Sequence, residues 1–391
     1  MRTKYNELFV NVYNKITEDF FNFIDQEEIY RILEEQTNLA IGFEDKRIKI
    51  YSTLLNNGWG VIHPKLIEYG LGKFFVGLSL LDIVNSTVLT QLALNDDRRL
   101  YYIENKLSDE YSKEVFHDYL KISFVTFIMG ESYKINYHVF QKLKKLFPGN
   151  RILENIECYR KFLQNLPKKV LKSNGDMVLV KTNLGDVYLS NNEINHIFSE
   201  IDNFEYFYKD EIKVVKDDVV IDGGAYDGKT ALVFAKSGAG KVLSFEILKN
   251  MIPVISKVLE RNDINNVKII NKGLSDIKGK YSMIDRQSGS YLKKNRPGEI
   301  EVISIDEFVE ENRIEKIDFI KLDIEGEEMN ALIGAHKVLK TFKPKIALAA
   351  YHEPLHVYEF IKFLSNIGYK RFFLDHKEPA LSGLILFAKW E

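Results

Sequence analysis

Five polar residues follow short apolar runs, at the spacing of strand ends in a sheet of alternating strands and helices. They are Asp222, Glu246, Asn271, Asp323 and His352. In sheets of this kind, ligands bind beyond the carboxyl ends of the strands. Acids and a histidine gathered there could accept hydroxyl groups, hold a cation or move protons. The spacing therefore predicts one binding and catalytic edge.

The segment that opens with Asp222 reads DGGAYDG. Glycine lets a backbone approach a ligand closely and turn sharply into a helix. The dinucleotide fingerprint G-x-G-x-x-G is incomplete, because Ala225 stands where its middle glycine belongs. We therefore expect that the loop does not bind the pyrophosphate of a dinucleotide. Asp222, the acid that opens the loop, suits a ligand with an ammonium or sulfonium charge. The predicted cofactor-binding residues of this loop are Asp222, Gly223, Gly224, Ala225, Tyr226 and Gly228.

Glu246 lies about 20 residues further on, at the end of the next predicted strand. An acid at this place can accept both hydroxyls of a ribose. The alternative is that Glu246 is a solvated helix cap. Taken with the glycine-rich loop, Glu246 indicates an adenosine-type ligand.

Asp323 and Glu325 flank the end of a predicted strand and could orient acceptor hydroxyls, bind a hard cation or share a proton. The alternative for Glu325 is a structural role, in which its negative charge stabilises the positive N-terminus of the following helix. His352 suits a general base, since an unperturbed histidine has a pKa near 6.5; a structural or substrate-orienting role is its alternative. We expect Lys321 to point away from the site or to pack its stem.

Residues 352–356 read HEPLH, which matches the zinc-protease pattern H-E-x-x-H. That pattern needs both histidines on one continuous helical face. Pro354 lacks an N–H group and fits best at the first position of a helix. We therefore expect His352 to lie outside the helix and no zinc-protease site.

The elements that position these residues form an α/β pattern from residue 213 onward. Apolar runs typical of buried parallel strands alternate with helical periodicity, which predicts a doubly wound sheet. The last two strands, joined without a helix, predict an antiparallel edge strand. Residues 167–212 read as a hairpin and helix connector, and residues 1–166 as a mainly α-helical N-terminal domain, with Pro167 ending its last helix.

Residues from about Glu205 to the C-terminus resemble the FkbM family of S-adenosylmethionine-dependent methyltransferases. The resemblance rests on VVIDGGAYDGKT (219–230), SFE (244–246), SIDEF (304–308), DFIKLDIEGEEMNALIGA (318–335) and AAYHEP (349–354). It implies a Rossmann-like methyltransferase fold for residues 213–391, bound S-adenosyl-L-methionine and usually O-methylation. By position, it places the loop near the methionine part, Glu246 at the ribose, and the segment from Gly273 to Asp276 near the adenine. Ile247 and Leu248 stand where the family usually has proline and a polar residue, so the local contacts are expected to differ.

Composition excludes several classes of protein. The chain has 391 residues, 45% of them hydrophobic and 28% charged, which excludes disorder. The formal net charge of -2 provides no general positive field, so we expect neither nucleic acid nor a membrane surface as a partner. The apolar stretch 74–94 contains Asp82 and is expected to be a buried helix. The basic segment 285–297 could equally line the acceptor site or form a surface hairpin. A single cysteine, Cys158, and the lack of a signal-peptide pattern favour the cytoplasm.

Together these features predict an S-adenosylmethionine-dependent O-methyltransferase that acts on a small-molecule or glycan acceptor. The expectation that the acceptor is a sugar or glycoconjugate precursor comes from the resemblance alone. Whether the enzyme needs a divalent metal ion stays an open question. The N-terminal half could cover the acceptor site, form a homo-oligomer or bind a glycan-carrying partner. The alternative function is a non-catalytic binding or scaffold protein that retains the cofactor fold. A nicotinamide-dependent enzyme is disfavoured by the missing glycine.

Overall fold

The computed structural model describes residues 4–20, 75–76, 80–129, 135–191, 194–284, 291–378 and 383–391. About half of the predicted basic segment, residues 285–290, lies outside the described residues, as do residues 74 and 77–79 of the apolar stretch. Among the described residues, no helix is long and apolar enough to cross a membrane.

The described N-terminal part is mainly helical, as predicted. Its elements are α1 (Lys4–Phe20), β1 (Phe75–Val76), α2 (Leu80–Asn95), α3 (Arg98–Lys106), α4 (Glu110–Met129), β2 (Ile135–Asn136), α5 (Tyr137–Leu146) and α6 (Arg151–Lys169). Buried apolar residues such as Phe9, Ile16 and Phe124 join these helices into one core. The predicted end of α6 at Pro167 is wrong: the proline lies inside the last turn, where its missing N–H removes only a terminal hydrogen bond.

The connector begins with a small antiparallel sheet. Its strands are β3 (Val170–Asn174), β4 (Met177–Thr182) and β5 (Gly185–Ser190), and β4 and β5 form the predicted hairpin. A 3-10 turn (Ile194–His196) and a π-helix (Ile197–Asp202) follow. The sequence predicts one regular helix there that continues to Phe207. In the structure the chain instead turns after Asp202, and Phe204 adopts a φ of 47°.

The C-terminal part contains the large sheet. Its elements are β6 (Val219–Gly223), α7 (Lys229–Lys236), β7 (Lys241–Phe245), α8 (Ile252–Arg261), β8 (Val267–Ile270), β9 (Gly273–Leu274), β10 (Gly279–Ile284), β11 (Tyr291–Pro297), β12 (Ile300–Ile303), α9 (Ile305–Glu311), β13 (Phe319–Leu322), α10 (Glu328–Ile333), α11 (His336–Phe342), β14 (Lys345–Ala349), α12 (His356–Ile367), β15 (Arg371–His376) and β16 (Leu384–Lys389).

Seven strands form this sheet in the order β15-β16-β14-β13-β6-β7-β8. Strands β6, β7, β8, β13 and β14 run parallel, and β16 pairs antiparallel with both β14 and β15. The predicted doubly wound α/β sheet is confirmed, and its last two strands, β15 and β16, form the predicted antiparallel pair at one edge. A separate four-stranded sheet of β9 to β12 was not predicted.

The N-terminal helices contact the edge strand of the large sheet. The N–H of Ser108, between α3 and α4, donates to the carbonyl of Phe372 in β15 at 2.8 Å, and the Ser108 hydroxyl oxygen accepts the N–H of Phe372 at 2.9 Å. The Ser112 hydroxyl oxygen accepts the N–H of Leu374 at 3.0 Å. An open strand edge would pair with other chains, and these contacts cover part of it.

Candidate active site

The loop between β6 and α7 passes directly against the residue that follows β13. Gly224 has a φ of 79°, and a Cβ there would collide with the carbonyl oxygen of Asp323. The N–H groups of Gly224 and Ala225 both donate to the carbonyl of Phe245 at 3.0 Å. Gly228, with a φ of 88°, turns the chain into α7. The loop therefore joins the carboxyl ends of β6, β7 and β13.

A buried lysine supports this loop from beneath. Lys321 Nζ donates to the carbonyls of Gly223 at 2.9 Å and Gly224 at 2.6 Å, and it lies 3.3 Å from Asp222 Oδ1. The Asp222 carboxylate is fully buried. It also accepts hydroxyl hydrogen bonds from Thr230 and Ser244.

Two expectations are corrected by this arrangement. The charge of Asp222 is used by Lys321 and by two hydroxyls, so the acid holds the loop in place and does not face a ligand cation. Lys321 does not point away from the site or merely pack its stem, because its ammonium group binds the loop. A lysine is buried at this depth only when it is paired in this way.

Glu246 ends β7 and is 5% exposed. Its carboxylate accepts the N–H of Tyr226 and the N–H of Leu248, each at 2.7 Å. Burial raises the pKa of Glu246, although these backbone donors act against the rise. The solvated helix cap is therefore wrong as an alternative. Each carboxylate oxygen keeps a second lone pair, so two ligand hydroxyls could still be accepted.

The segment predicted to lie near an adenine follows β8. Asn271, two residues before this segment, donates its amide to the carbonyl of Glu246 at 2.7 Å. Asp276 is half-buried and lies 3.1 Å from the hydroxyl of Ser275. Its backbone packs against Gly334, between α10 and α11. A role for Asp276 at an adenine stays a prediction.

The three predicted catalytic residues meet at the carboxyl ends of β13 and β14. His352 Nε2 lies 3.7 Å from Asp323 Oδ1 and 3.5 Å from Glu325 Oε2. One potential ligand atom of each residue lies within 4.8 Å of the other two. Glu325 has a φ of 57°, a conformation that costs free energy in a non-glycine residue and is often kept at functional sites.

Glu328 lies behind this group and orients the histidine. Its Oε1 is 3.0 Å from His352 Nδ1 and also accepts the N–H of Ile324 at 2.7 Å. Burial would raise the pKa of Glu328, but the nearby charge of His352 lowers that pKa to about 2. Burial alone would lower the pKa of His352, but Glu328 and Glu325 raise it to about 10. Burial raises the pKa of Glu325 to about 7, against the effect of His352.

The neighbouring carboxylates favour the protonated form of His352, which has no lone pair to accept another proton. This direction disfavours the expectation that His352 is a general base and favours its alternative, a structural or substrate-orienting role. The role of His352 stays a prediction.

Two tyrosines and a glutamate complete the surroundings of Asp323. The Tyr206 hydroxyl donates to Asp323 Oδ2 at 2.6 Å, and the Tyr351 hydroxyl lies 3.4 Å from Asp323 Oδ1. Glu205 is 1% exposed, its Oε1 has no hydrogen-bond partner among the described residues, and burial raises its pKa well above the ordinary value. Tyr351 could have been found from its position at a strand end beside His352. No sequence signal indicates Tyr206 or Glu205, which come from the connector.

The HEPLH segment does not form a helical zinc site. Helix α12 begins at His356, so His352 lies outside it, as predicted. Pro354 lies in the preceding turn, two residues before the helix, and not at its first position. His356 Nδ1 is 3.8 Å from Glu328 Oε2, so the two histidines approach different oxygens of one carboxylate.

Residues 222–371 match the sequence model of the methyltransferase FkbM domain. The C-terminal half of the chain therefore contains an FkbM-family methyltransferase domain. The match covers the glycine-rich loop, Glu246 and the group of Asp323, Glu325 and His352, and it begins after the connector that carries Tyr206.

Several solved structures are similar to this chain. A methyltransferase FkbM from Methylobacillus flagellatus KT is 18% identical, with a TM-score of 0.48, over 76% of this chain and 60% of that chain. An rRNA methylase from Streptococcus thermophilus is 16% identical, with a TM-score of 0.31, over 46% of this chain and 90% of that one. A protein from Streptococcus mutans described as a methyltransferase, in complex with SAH, is 15% identical over 45% and 90%, with a TM-score of 0.31. This chain thus spans 60% of the length of the Methylobacillus protein. No curated protein matches the chain.

Proposed function

We propose that the protein is an S-adenosylmethionine-dependent O-methyltransferase that methylates a hydroxyl of a sugar or glycoconjugate precursor. The observation that carries the proposal is the direct packing of Gly224, in the cofactor loop, against Asp323. This contact sets the loop beside two carboxylates that can receive a hydroxyl group. The sugar as acceptor rests on the resemblance to the family.

The residues around the loop suit S-adenosylmethionine. Glu246 has lone pairs left for the two ribose hydroxyls. The negative charge of Asp323 and Glu325 suits a sulfonium ion nearby. When bound, the cofactor supplies an electrophilic methyl group, and alignment with the acceptor accounts for much of the rate.

Side chains at the ends of β13 and β14 would bind the acceptor hydroxyl and accept its proton. Asp323 and Glu325 are placed to accept a hydrogen bond from an acceptor hydroxyl and then its proton. Tyr206 fixes the orientation of Asp323 through its 2.6 Å hydrogen bond. His352, held by Glu328, has its Nε2 atom directed toward both carboxylates.

Calorimetric titration tests the cofactor half of the proposal. S-adenosylmethionine and its demethylated product should each bind near one per chain. Glu246→Ala should weaken binding at least tenfold, since hydrogen bonds to a charged group contribute about 1.5–3 kcal/mol. Glu260→Ala, an exposed glutamate on α8, is the matched control and should bind as the wild type does. Absence of binding by the wild-type chain would contradict the proposal and favour the non-catalytic scaffold.

The acceptor half is tested by transfer of a labelled methyl group to a panel of sugars, nucleotide sugars, amines and carboxylic acids. A methyl ether survives mild base, whereas a methyl ester is hydrolysed, so the product identifies the acceptor atom. Label in base-stable sugar products would support the proposal. Label only in esters or amines would overturn the O-methylation of a hydroxyl.

A further inference from the structure

The spacing within the group of Asp323, Glu325 and His352 differs from that of its other polar contacts. Charged N–H···O pairs close to about 2.7–2.9 Å. The neighbouring Tyr206–Asp323 contact is 2.6 Å and the His352–Glu328 contact is 3.0 Å. His352 Nε2, in contrast, stays 3.5 Å from Glu325 and 3.7 Å from Asp323. The three atoms surround a gap that they do not close by hydrogen bonding to one another.

This gap has the size of a metal-binding position. Nitrogen and oxygen ligands lie about 2.0–2.2 Å from a first-row divalent metal, so neighbouring ligands are separated by roughly 3.0–3.6 Å. The two distances from Nε2 are close to that range. An ion could enter with small movements of the side chains.

The histidine is oriented as a metal ligand would be. A metal-binding histidine usually donates its second ring N–H to a carboxylate, which fixes the ring and directs the other nitrogen at the metal. His352 Nδ1 contacts Glu328 in this way, and the His352 side chain is only 7% exposed with Nε2 directed into the gap. Glu328 is itself held by the N–H groups of Ile324 and Gly326. Removing this orientation would require breaking a fully buried network.

We propose that Asp323, Glu325 and His352 bind a divalent first-row transition metal ion, with Glu328 orienting His352. Two carboxylates and one imidazole suit Mn²⁺, Fe²⁺ or Zn²⁺ better than Ca²⁺ or Mg²⁺, which prefer oxygen ligands alone. The side chains of Asp323 and Glu325 are 22% and 32% exposed, so one side of the ion stays accessible. This inference rests on the proposed function, in which that side receives the acceptor hydroxyl.

The test uses the full chain, freed of metal by a chelator and titrated with Mn²⁺ alone. Electron paramagnetic resonance of free Mn²⁺ and calorimetry both report binding. One ion should bind per chain, and Glu325→Gln and His352→Gln should each weaken binding by about tenfold or more. Glu327→Gln is the control, because this neighbouring carboxylate contacts Ser275 and Asn330 and lies outside the ligand group. It should bind Mn²⁺ as the wild type does.

Titration of the demethylated cofactor into the same samples separates the two proposals. Cofactor binding by all variants shows that they are folded, so weaker Mn²⁺ binding in the ligand variants alone supports the site. A wild-type chain that binds the cofactor but shows no saturable Mn²⁺ binding below about 1 mM overturns the metal site and leaves the methyltransferase proposal intact. An equal loss of Mn²⁺ affinity in Glu327→Gln would also overturn the metal site, because Mn²⁺ binding would then depend on the general negative charge of the region. A chain that binds Mn²⁺ but no cofactor contradicts the proposed function instead.

Discussion

Replacing Lys321 with methionine removes the charge beneath the cofactor loop and keeps the length of the side chain. Lys321 is 1% exposed and Asp222 is fully buried, so the variant leaves a buried carboxylate that keeps its hydrogen bonds from the Thr230 and Ser244 hydroxyls. Removing one partner of a buried ion pair costs about 3–5 kcal/mol. The carbonyls of Gly223 and Gly224 lose the same donor. We expect Lys321→Met to lower the free energy of unfolding by about 3–5 kcal/mol.

Urea denaturation followed by circular dichroism measures this loss. Lys316→Met is the matched control, because Lys316 lies just before β13 and pairs with Asp318 at 3.0 Å while its side chain is 51% exposed. An exposed pair contributes less than about 1 kcal/mol. In the double variant Asp222→Asn/Lys321→Met the buried charge is gone, so part of the stability should return. A loss below about 1 kcal/mol in Lys321→Met, or no recovery in the double variant, would refute the reasoning.

Three further predictions concern the acceptor side. Asp323→Asn should bind the demethylated cofactor as the wild type does and lose about 100-fold or more in turnover; full turnover would remove Asp323 from the acceptor site. Tyr206→Phe should reduce turnover by about tenfold and leave calorimetric cofactor affinity unchanged, because only the hydrogen bond to Asp323 is lost. Burial lowers the pKa of His356 to about 4, with Glu328 opposing and His352 reinforcing the effect. Between pH 6.5 and 4 the unfolded chain therefore binds a proton that the folded chain does not, and stability falls as the pH falls, by about 2 kcal/mol at pH 5. His356→Phe should remove that loss in urea denaturation at pH 7 and pH 5; an unchanged pH dependence would contradict it.

The strand-end argument correctly brought Asp323 and His352 together, because parallel strands have their carboxyl ends at one edge. Asp323 and His352 follow neighbouring strands, β13 and β14, so their separation in sequence has little effect on their distance in space. The same reasoning placed Glu246 at the end of β7, next to the loop that follows β6. Roles at this edge are harder to predict, because the pKa of His352 depends on Glu328, which lies in the following helix and not at a strand end.

The support beneath the loop could not be predicted from a pattern of apolar runs. Strand β13 reads Phe-Ile-Lys-Leu. For a single lysine in a buried strand, the pattern predicts that the ammonium group points outward or that the apolar stem packs against its neighbours. Its burial depends on Asp222 and on two carbonyls of another strand and loop, about 100 residues earlier in the chain. The prediction for the connector was wrong for a related reason. Local periodicity predicts a regular helix, whereas the chain forms a π-helix and then turns. The turn allows Tyr206 to reach Asp323.

The two sides of the site differ in which part of the chain builds them. The loop, Lys321 and Glu246 all lie within residues 222–371, the range of the FkbM domain match. Tyr206, which binds Asp323 across 117 residues, precedes that range. Asn85 of α2 donates its side-chain amide to the carbonyl of Tyr351 at 2.8 Å, next to His352. Segments outside the family domain therefore hold Asp323 and Tyr351, whereas the glycine-rich loop and Glu246 are supported from within the domain. A fragment that starts at residue 213 would keep the cofactor loop and lose these contacts to Asp323 and Tyr351.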